Sequence, residues 1–375
     1  MRRLLASSAA LACLLLTAAP AATALPPAHH RAQAPSPPPP PGPTAPAPPP
    51  LPKSWILVDA DTGAILDQGN PHDPLPPASV TKVLTALIAV EQLPPSADVP
   101  ISPVAEGMPA RNMNLKAGQV WKLEDVMHAL LMVSANDAAV ALAERVSGSR
   151  ENFAGEMAQT AAHLGMADFP VLHDPAGLDD EFSNGGGNLI SAHDLAVAAR
   201  AALANDELRQ IVATPVYKFH GGDGNDHRLL NEDRLLKEYP GAVGMKTGYT
   251  RKAGHSFIGA ATRDGRTMLA VVMGAPDFYR STEGMLDKGF SIPVAAERGL
   301  EHLAPIVPNA AVSQPAKAVP LEATRTPSPR AFQVPTDDTV RVVRDGIWIG
   351  VVCLPVAYAA LRLFFGRRRR RYLFR

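Results

Sequence analysis

Proline sets the limits of what this chain can fold. Residues 26–52 are dominated by proline and alanine, with an unbroken run from Pro37 to Pro41. Such a stretch cannot bury a core and behaves as an extended, semi-rigid spacer. A second polar, proline-containing segment runs from about Ala304 to Asp345. What lies between is one stretch of about 250 residues, the size of a single domain. No internal repeat breaks it up. The expected layout is therefore a linker at 25–53, a domain at 54–303 and a second linker at 304–345.

Outside the spacers stand two apolar segments of different length. Arg2 and Arg3 precede an apolar run from Leu4 to Thr17, and Ala22-Thr23-Ala24 follows. This is the pattern of a signal peptide, residues 1–24, cleaved before Leu25. The run is short for a bilayer, and Cys13 lies inside it, badly placed for lipid attachment. At the other end Gly346 to Phe365 is nearly continuous apolar sequence, interrupted by Pro355 and by Arg362 near its edge. That length crosses a bilayer, and Arg362 can reach the interface. Arg367 to Arg371 form a basic block that places the tail, residues 367–375, in the cytoplasm. The expected location is a cell membrane, with helix 346–366 as a single-pass anchor and the domain on the outer side.

Charge and cysteine content agree with that location. Nine of the 36 basic residues lie in the signal, the anchor and the tail, which leaves 27 against 36 acids elsewhere. An acidic exported part argues against DNA or RNA as a partner. The only cysteines, Cys13 and Cys353, fall in the apolar ends, so the domain has no disulfide and depends on a sizeable core.

Within the domain, Ser54 to Val58 and Ala64 to Leu66 flank Asp61-Thr62-Gly63 as a β-hairpin. Val80, Val83, Leu84, Leu87 and Ile88 fall at helical spacing. A helix over about Leu123 to Val133 is followed by another that begins near Asn136 or Asp137, either of which can cap it. His255 to Ala261 and Met268 to Met273 flank Asp264-Gly265, a strong hairpin turn. Strands at both ends with helices between them predict an α/β domain whose terminal strands share one antiparallel sheet.

Three short motifs stand along this framework. In Ser79-Val80-Thr81-Lys82 the serine and lysine are three residues apart, so on a helix they share a face and the amine reaches the hydroxyl. A neutral amine there serves as base for an otherwise poor nucleophile, and burial with nearby positive charge favours that form. The Ser79 N–H at a helix start can also face a developing oxyanion. Ser134-Ala135-Asn136 falls where one apolar helix stops and the next begins. A loop there points a hydroxyl, suited to proton relay, and an amide, suited to holding substrate or lysine, into a cleft. Lys246-Thr247-Gly248 precedes the last hairpin, where an ammonium and a hydroxyl on one strand suit a terminal carboxylate. Gly248 lets a ligand backbone approach the strand, and Tyr249 offers a backbone N–H as second oxyanion donor. Each motif alone also reads as something ordinary: a helix cap with a surface lysine, a capped helix start, a strand with a turn glycine. It is their order along one chain that points to acyl transfer.

Residues from about Ser54 to Leu300 resemble the low-molecular-weight penicillin-binding proteins that act as D-alanyl-D-alanine carboxypeptidases. Besides the motifs, the likeness rests on Asp59-Ala60-Asp61-Thr62-Gly63, Pro77-Ala78-Ser79, the run from Leu131 to Ala139, Asp174-Pro175-Ala176-Gly177-Leu178 and the run from Gly244 to Thr250. The resemblance implies a transpeptidase-like, serine β-lactamase-like α+β fold: an antiparallel sheet flanked by helices, with an all-helical lobe. It also implies Ser79 as acylated nucleophile, Lys82 as base, Ser134 and Asn136 assisting, and Lys246 with Thr247 binding the substrate carboxylate. The implied reaction removes the terminal D-alanine of peptidoglycan stem pentapeptides in a monomeric enzyme, without metal or organic cofactor, and β-lactams acylate Ser79. The chain departs from frequent family patterns at Gly187 to Ala196 and at Asn231-Glu232-Asp233, positions expected at the cleft rim and in packing.

Rival readings share part of this chemistry. A D,D-endopeptidase that cuts cross-links carries the same motifs. A class A β-lactamase places a glutamate element after its second motif to activate the deacylating water, and none follows here at that distance. A non-catalytic muropeptide or β-lactam sensor needs a signalling domain, for which Arg367 to Arg375 is too short. His220, Asp223, Asp226 and His227 read as a glycine-rich turn before a metal cluster. Met108, Met113, Met127 and Met132 read as core.

Overall fold

The computed structural model describes residues 51–306. The expected signal, nearly all of both expected linkers, the expected membrane helix and the basic tail lie outside the described residues. Among the described residues, no helix is long and apolar enough to cross a membrane.

Strands β1 (Ser54–Asp59) and β2 (Ile65–Gly69) form the first hairpin. A 3-10 turn (Ala78–Thr81) leads into helix α1 (Lys82–Gln92). There follow β3 (Asp98–Pro100), α2 (Pro103–Glu106), β4 (Val120–Lys122), α3 (Leu123–Met132), α4 (Asn136–Ser147), α5 (Arg150–Leu164), α6 (Ala192–Ala204) and α7 (Asp206–Ala213). A two-stranded ribbon, β5 (Val216–His220) with β6 (Asp226–Leu230), and the short α8 (Leu235–Glu238) come next. The chain ends in a meander of β7 (Ala242–Thr250), β8 (Gly254–Arg263) and β9 (Arg266–Met273), followed by α9 (Phe278–Ser291).

The main sheet has the order β2-β1-β9-β8-β7 and is antiparallel throughout. As the sequence predicts, the terminal strands meet, since β1 pairs with β9 from Ser54↔Met273 to Asp59↔Met268. Alternation along these strands builds a core on each face. Ile56, Val58, Leu269, Val271 and Met273 join the larger cluster with α1, α3, α4 and α6. Leu57, Met268, Ala270 and Val272 join the smaller one beneath α9. Each fully buried Val, Leu, Ile or Met side chain among them stabilises the fold by about 1.5–3 kcal/mol relative to exposure. The β8–β9 turn uses Asp264 and Gly265, both at positive φ, as an Asp-Gly hairpin requires.

The last described residues return to the first hairpin. Leu303 N–H donates to the Gly63 carbonyl at 2.9 Å, and Ile65 N–H to that of Glu301 at 2.8 Å. Arg266 pairs with the buried carboxylates Asp59 and Glu297 at the same corner. Met108, Met127 and Met132 are buried in the core and Met113 packs against it, as their reading as packing residues predicts.

Two local expectations change. Ser79 stands in the 3-10 turn, and α1 begins only at Lys82. Helix α4 starts at Asn136 without a side-chain cap from Asn136 or Asp137. The Asp137 carboxylate is instead drawn outward to the N–H groups of Met113 and Leu115 at 2.9–3.0 Å, besides that of Ala138. A long-range demand for an acceptor outcompetes local capping.

Candidate active site

Lys82 is the most tightly seated side chain at the site. It is fully buried, and its Nζ lies 2.8 Å from each of three oxygens: Ser79 Oγ, Asn136 Oδ1 and the Ala176 carbonyl. The amide and carbonyl oxygens can only accept, so both take protons from Nζ. An amine that has lost its third proton then turns its lone pair to the Ser79 hydroxyl. Burial, reinforced by the positive charges of Lys246 and Arg111, drives the Lys82 pKa well below the ordinary lysine value. The carboxylates of Asp174 and Asp137 oppose that shift without cancelling it.

Each oxygen facing Lys82 is itself held. The Asn136 amide donates to the Pro109 carbonyl at 3.0 Å, which fixes Oδ1 toward the lysine. Ala176 belongs to the segment Asp174-Pro175-Ala176-Gly177-Leu178, organised by the fully buried Asp174. That carboxylate accepts from the N–H groups of Ala176, Leu178 and Asn184, each at 2.9 Å. Asn188 Oδ1 accepts from the His173 and Asp174 N–H groups at 2.7 and 2.8 Å. Gly177 sits at φ +77°, and a Cβ there would come within 2.0 Å of the Ala78 carbonyl oxygen. Only glycine lets this loop press against the nucleophile's turn.

Edge strand β7 forms the opposite wall. A Cβ on Gly248 would lie 3.0 Å from the Ser79 nitrogen and 3.1 Å from that of Val80. The structural demand for glycine therefore comes from the nucleophile's own backbone, where the sequence argument placed a ligand. Thr247 is half-buried and faces the cleft, while Tyr249 is exposed with its ring against His255. Lys246 is buried beneath the floor and donates to the Thr247 carbonyl at 2.9 Å. Burial, together with Arg111, brings its ammonium down to about 7, against the pull of Asp233.

Ser79, Ser134, Asn136, Thr247, Gly248 and Tyr249 line one cleft of about 430 Å³, and the two lysines lie beneath it. All eight residues singled out in the sequence thus converge. Ala78 and Ser134, on either side, hold φ of 55° and 61°. Non-glycine residues in the left-handed region cost about 1–3 kcal/mol and gather at functional sites.

Sequence reasoning missed Arg111, which lines the cleft and forms an ion pair with Glu232 opposite. Glu232 belongs to Asn231-Glu232-Asp233, and its rim position agrees with the sequence reading. Asn231 packs inward, donating to the carbonyls of Val212 and Thr214. His220, Asp223, Asp226 and His227 occupy the β5–β6 turn as two separate pairs, His220 with Asp226 and His227 with Asp223.

Comparison with known proteins gives the same direction. The sequence profile of the D-alanyl-D-alanine carboxypeptidase family, Peptidase_S11, matches residues 44–277. The D-alanyl-D-alanine carboxypeptidase DacB2 of Mycobacterium tuberculosis is 37% identical over 257 residues, covering 66% of this chain and 85% of the relative. The D-alanyl-D-alanine carboxypeptidase DacF of Bacillus subtilis is 33% identical over 249 residues, which span 64% of this chain and 62% of that protein. The crystal structure of D-alanyl-D-alanine carboxypeptidase from Mycobacterium tuberculosis H37Rv aligns with a TM-score of 0.62 at 33% identity, covering 69% of this chain and 96% of that one. The fold is thus the α+β, transpeptidase-like fold of penicillin-binding proteins, and the chain belongs to the D-alanyl-D-alanine carboxypeptidase family of serine enzymes.

Proposed function

We propose that the enzyme releases the terminal D-alanine of peptidoglycan stem pentapeptides through an acyl-enzyme on Ser79. Ser79 Oγ attacks the carbonyl carbon of the penultimate D-alanine while Lys82 Nζ takes the hydroxyl proton. The N–H groups of Ser79 and Tyr249 receive the oxyanion. As the tetrahedral intermediate collapses, Ser134 passes a proton to the departing amine, and free D-alanine leaves. Water then hydrolyses the ester and regenerates the hydroxyl. Asn136 holds Lys82 in place. The substrate's terminal carboxylate meets the Thr247 hydroxyl, with Lys246 supplying positive charge from below. β-Lactams acylate the same oxygen.

The observation that carries this reading is the set of three 2.8 Å contacts at Lys82 Nζ. They leave its one unshared direction on the serine. The test is D-alanine release from a stem pentapeptide by the full chain and by Ser79→Ala. Release is expected to vanish in the variant while its melting profile stays that of the wild type. Release that persists removes Ser79 from the role. Cross-linked muropeptide in the same assay separates endopeptidase activity from carboxypeptidase activity.

For the cell, we propose a monomeric exported domain held above the membrane by helix 346–366, with tail 367–375 in the cytoplasm. The support is the apolar run from Gly346 to Phe365, the arginine block after it and the signal pattern at residues 1–24.

A further inference from the structure

Away from the cleft, two histidines converge on one carboxylate. His72 follows β2, Asp168 lies in the connection between α5 and α6, and His193 opens α6. His72 Nδ1 is 3.0 Å from Asp168 Oδ2, and His193 Nδ1 is 3.8 Å from the same oxygen. The two rings face each other at a centroid distance of 5.0 Å. One donor atom from each residue lies within 4.8 Å of those of the other two. We propose that His72, Asp168 and His193 form a binding site for a divalent transition ion, zinc by preference.

The chemistry and spacing fit that ion. Two imidazoles and a carboxylate are zinc ligands, and bonds of about 2.0–2.2 Å at tetrahedral angles put donor atoms about 3.3 Å apart. The observed separations of 3.0 and 3.8 Å straddle that value. The ligands are also supported from behind, as metal ligands generally are. Ser191 Oγ donates to Asp168 Oδ2 at 2.6 Å, and the fully buried Asp194 carboxylate accepts the Asp168 N–H at 3.2 Å. Asp194 also lies 3.3 Å from His193 Nδ1, adding negative charge beside the site. His72 is half-exposed, which leaves a path from solvent and a position for a water ligand.

None of the three residues lines the cleft, so the ion takes no part in acyl transfer. It acts as a clip. The His193 N–H already donates to the Pro71 carbonyl at 2.9 Å, and Leu75 pairs with Ile190 just beyond. A shared ion fastens the segment that leads to the nucleophile's turn onto the start of α6.

The test is calorimetric titration of zinc into the metal-stripped full chain, alongside His72→Ala, His193→Gln and His220→Ala. One ion is expected to bind the wild type and His220→Ala. His72→Ala and His193→Gln are expected to lose affinity by roughly a hundredfold or more, since even supporting partners of metal ligands act on a scale of 10–100-fold. Zinc should also raise the melting temperature of the wild type and leave that of His72→Ala unmoved. Because the His72 side chain is half-exposed, that variant keeps its fold without metal. Absence of saturable binding to the wild type overturns the proposal, as does binding that survives in both His72→Ala and His193→Gln.

Discussion

Gly248→Ala separates the two jobs open to this glycine. Its Cβ would lie 3.0 Å from the Ser79 nitrogen, 3.1 Å from the Val80 nitrogen and 3.2 Å from Ala78 Cβ. Gly248 has no positive φ, so alanine brings crowding without backbone strain. Relief needs a shift of a few tenths of an ångström, and overpacking of this kind costs about 1–3 kcal/mol. The contrast is Gly177→Ala, where φ is +77° and the clash with the Ala78 carbonyl oxygen is at 2.0 Å. At Gly248 the displaced group is the Ser79 N–H, proposed as an oxyanion donor. Loss of one such donor slows the chemical step by about 10²–10³, or about 2.7–4 kcal/mol. The expected phenotype is a folded protein whose acylation by a fluorescent penicillin and release of D-alanine both fall by that factor. The assay is the second-order acylation rate, read beside a thermal melt. A folded variant that acylates at the wild-type rate refutes the reasoning, since the Ser79 N–H would then have no part in the reaction.

Four further outcomes follow from the geometry. The acylation rate should decline toward acid pH as Lys82 takes up its third proton, with a midpoint well below the ordinary lysine value. Arg111→Ala should move that midpoint upward, because removing a positive neighbour makes protonation easier; an unmoved pH profile assigns the limb to another group. Asp174→Ala should lower stability by about 1–3 kcal/mol or more, since it leaves the buried Ala176 N–H and the part-buried N–H groups of Leu178 and Asn184 without their acceptor; a denaturant melt measures it. Arg266→Ala should cost about 3–5 kcal/mol in the same melt, the range for removing one partner of a buried ion pair, here with Asp59 and Glu297.

How much of this could be read beforehand depended on whether the information was local. Ser79 and Lys82 were legible because three residues of separation fix their contact within one turn. The Asp264-Gly265 hairpin was legible because its residues meet a backbone requirement of their own. The Ser134-Ala135-Asn136 break was visible as an interruption of apolar spacing, and its amide was read as suited to substrate or to lysine without a choice between them. That Asn136 faces Lys82 depends on the packing of α4 against α1. The Ala176 carbonyl is a backbone atom and carries no mark in the sequence. Arg111 looked like any surface arginine, and only the closure of the cleft sets it opposite Glu232. Lys246 read as a direct carboxylate ligand, yet its burial below Thr247 makes it a source of charge from beneath. The His72, Asp168 and His193 cluster drew no notice because its members come from two connections and a helix start far apart in the sequence.

The placement of β1 has a consequence for how the protein comes into being. Its two neighbours in the sheet are β2, made at once, and β9, made near the end of the domain. No central sheet can close until β9 has emerged, so pairing across the whole length of the domain sets the pace of folding. A chain that leaves its first strand waiting stays threadable for longer. Such a delay would suit the export proposed above. The β7–β8–β9 meander, in contrast, is local and can form by itself, offering β1 a ready edge once the domain is complete.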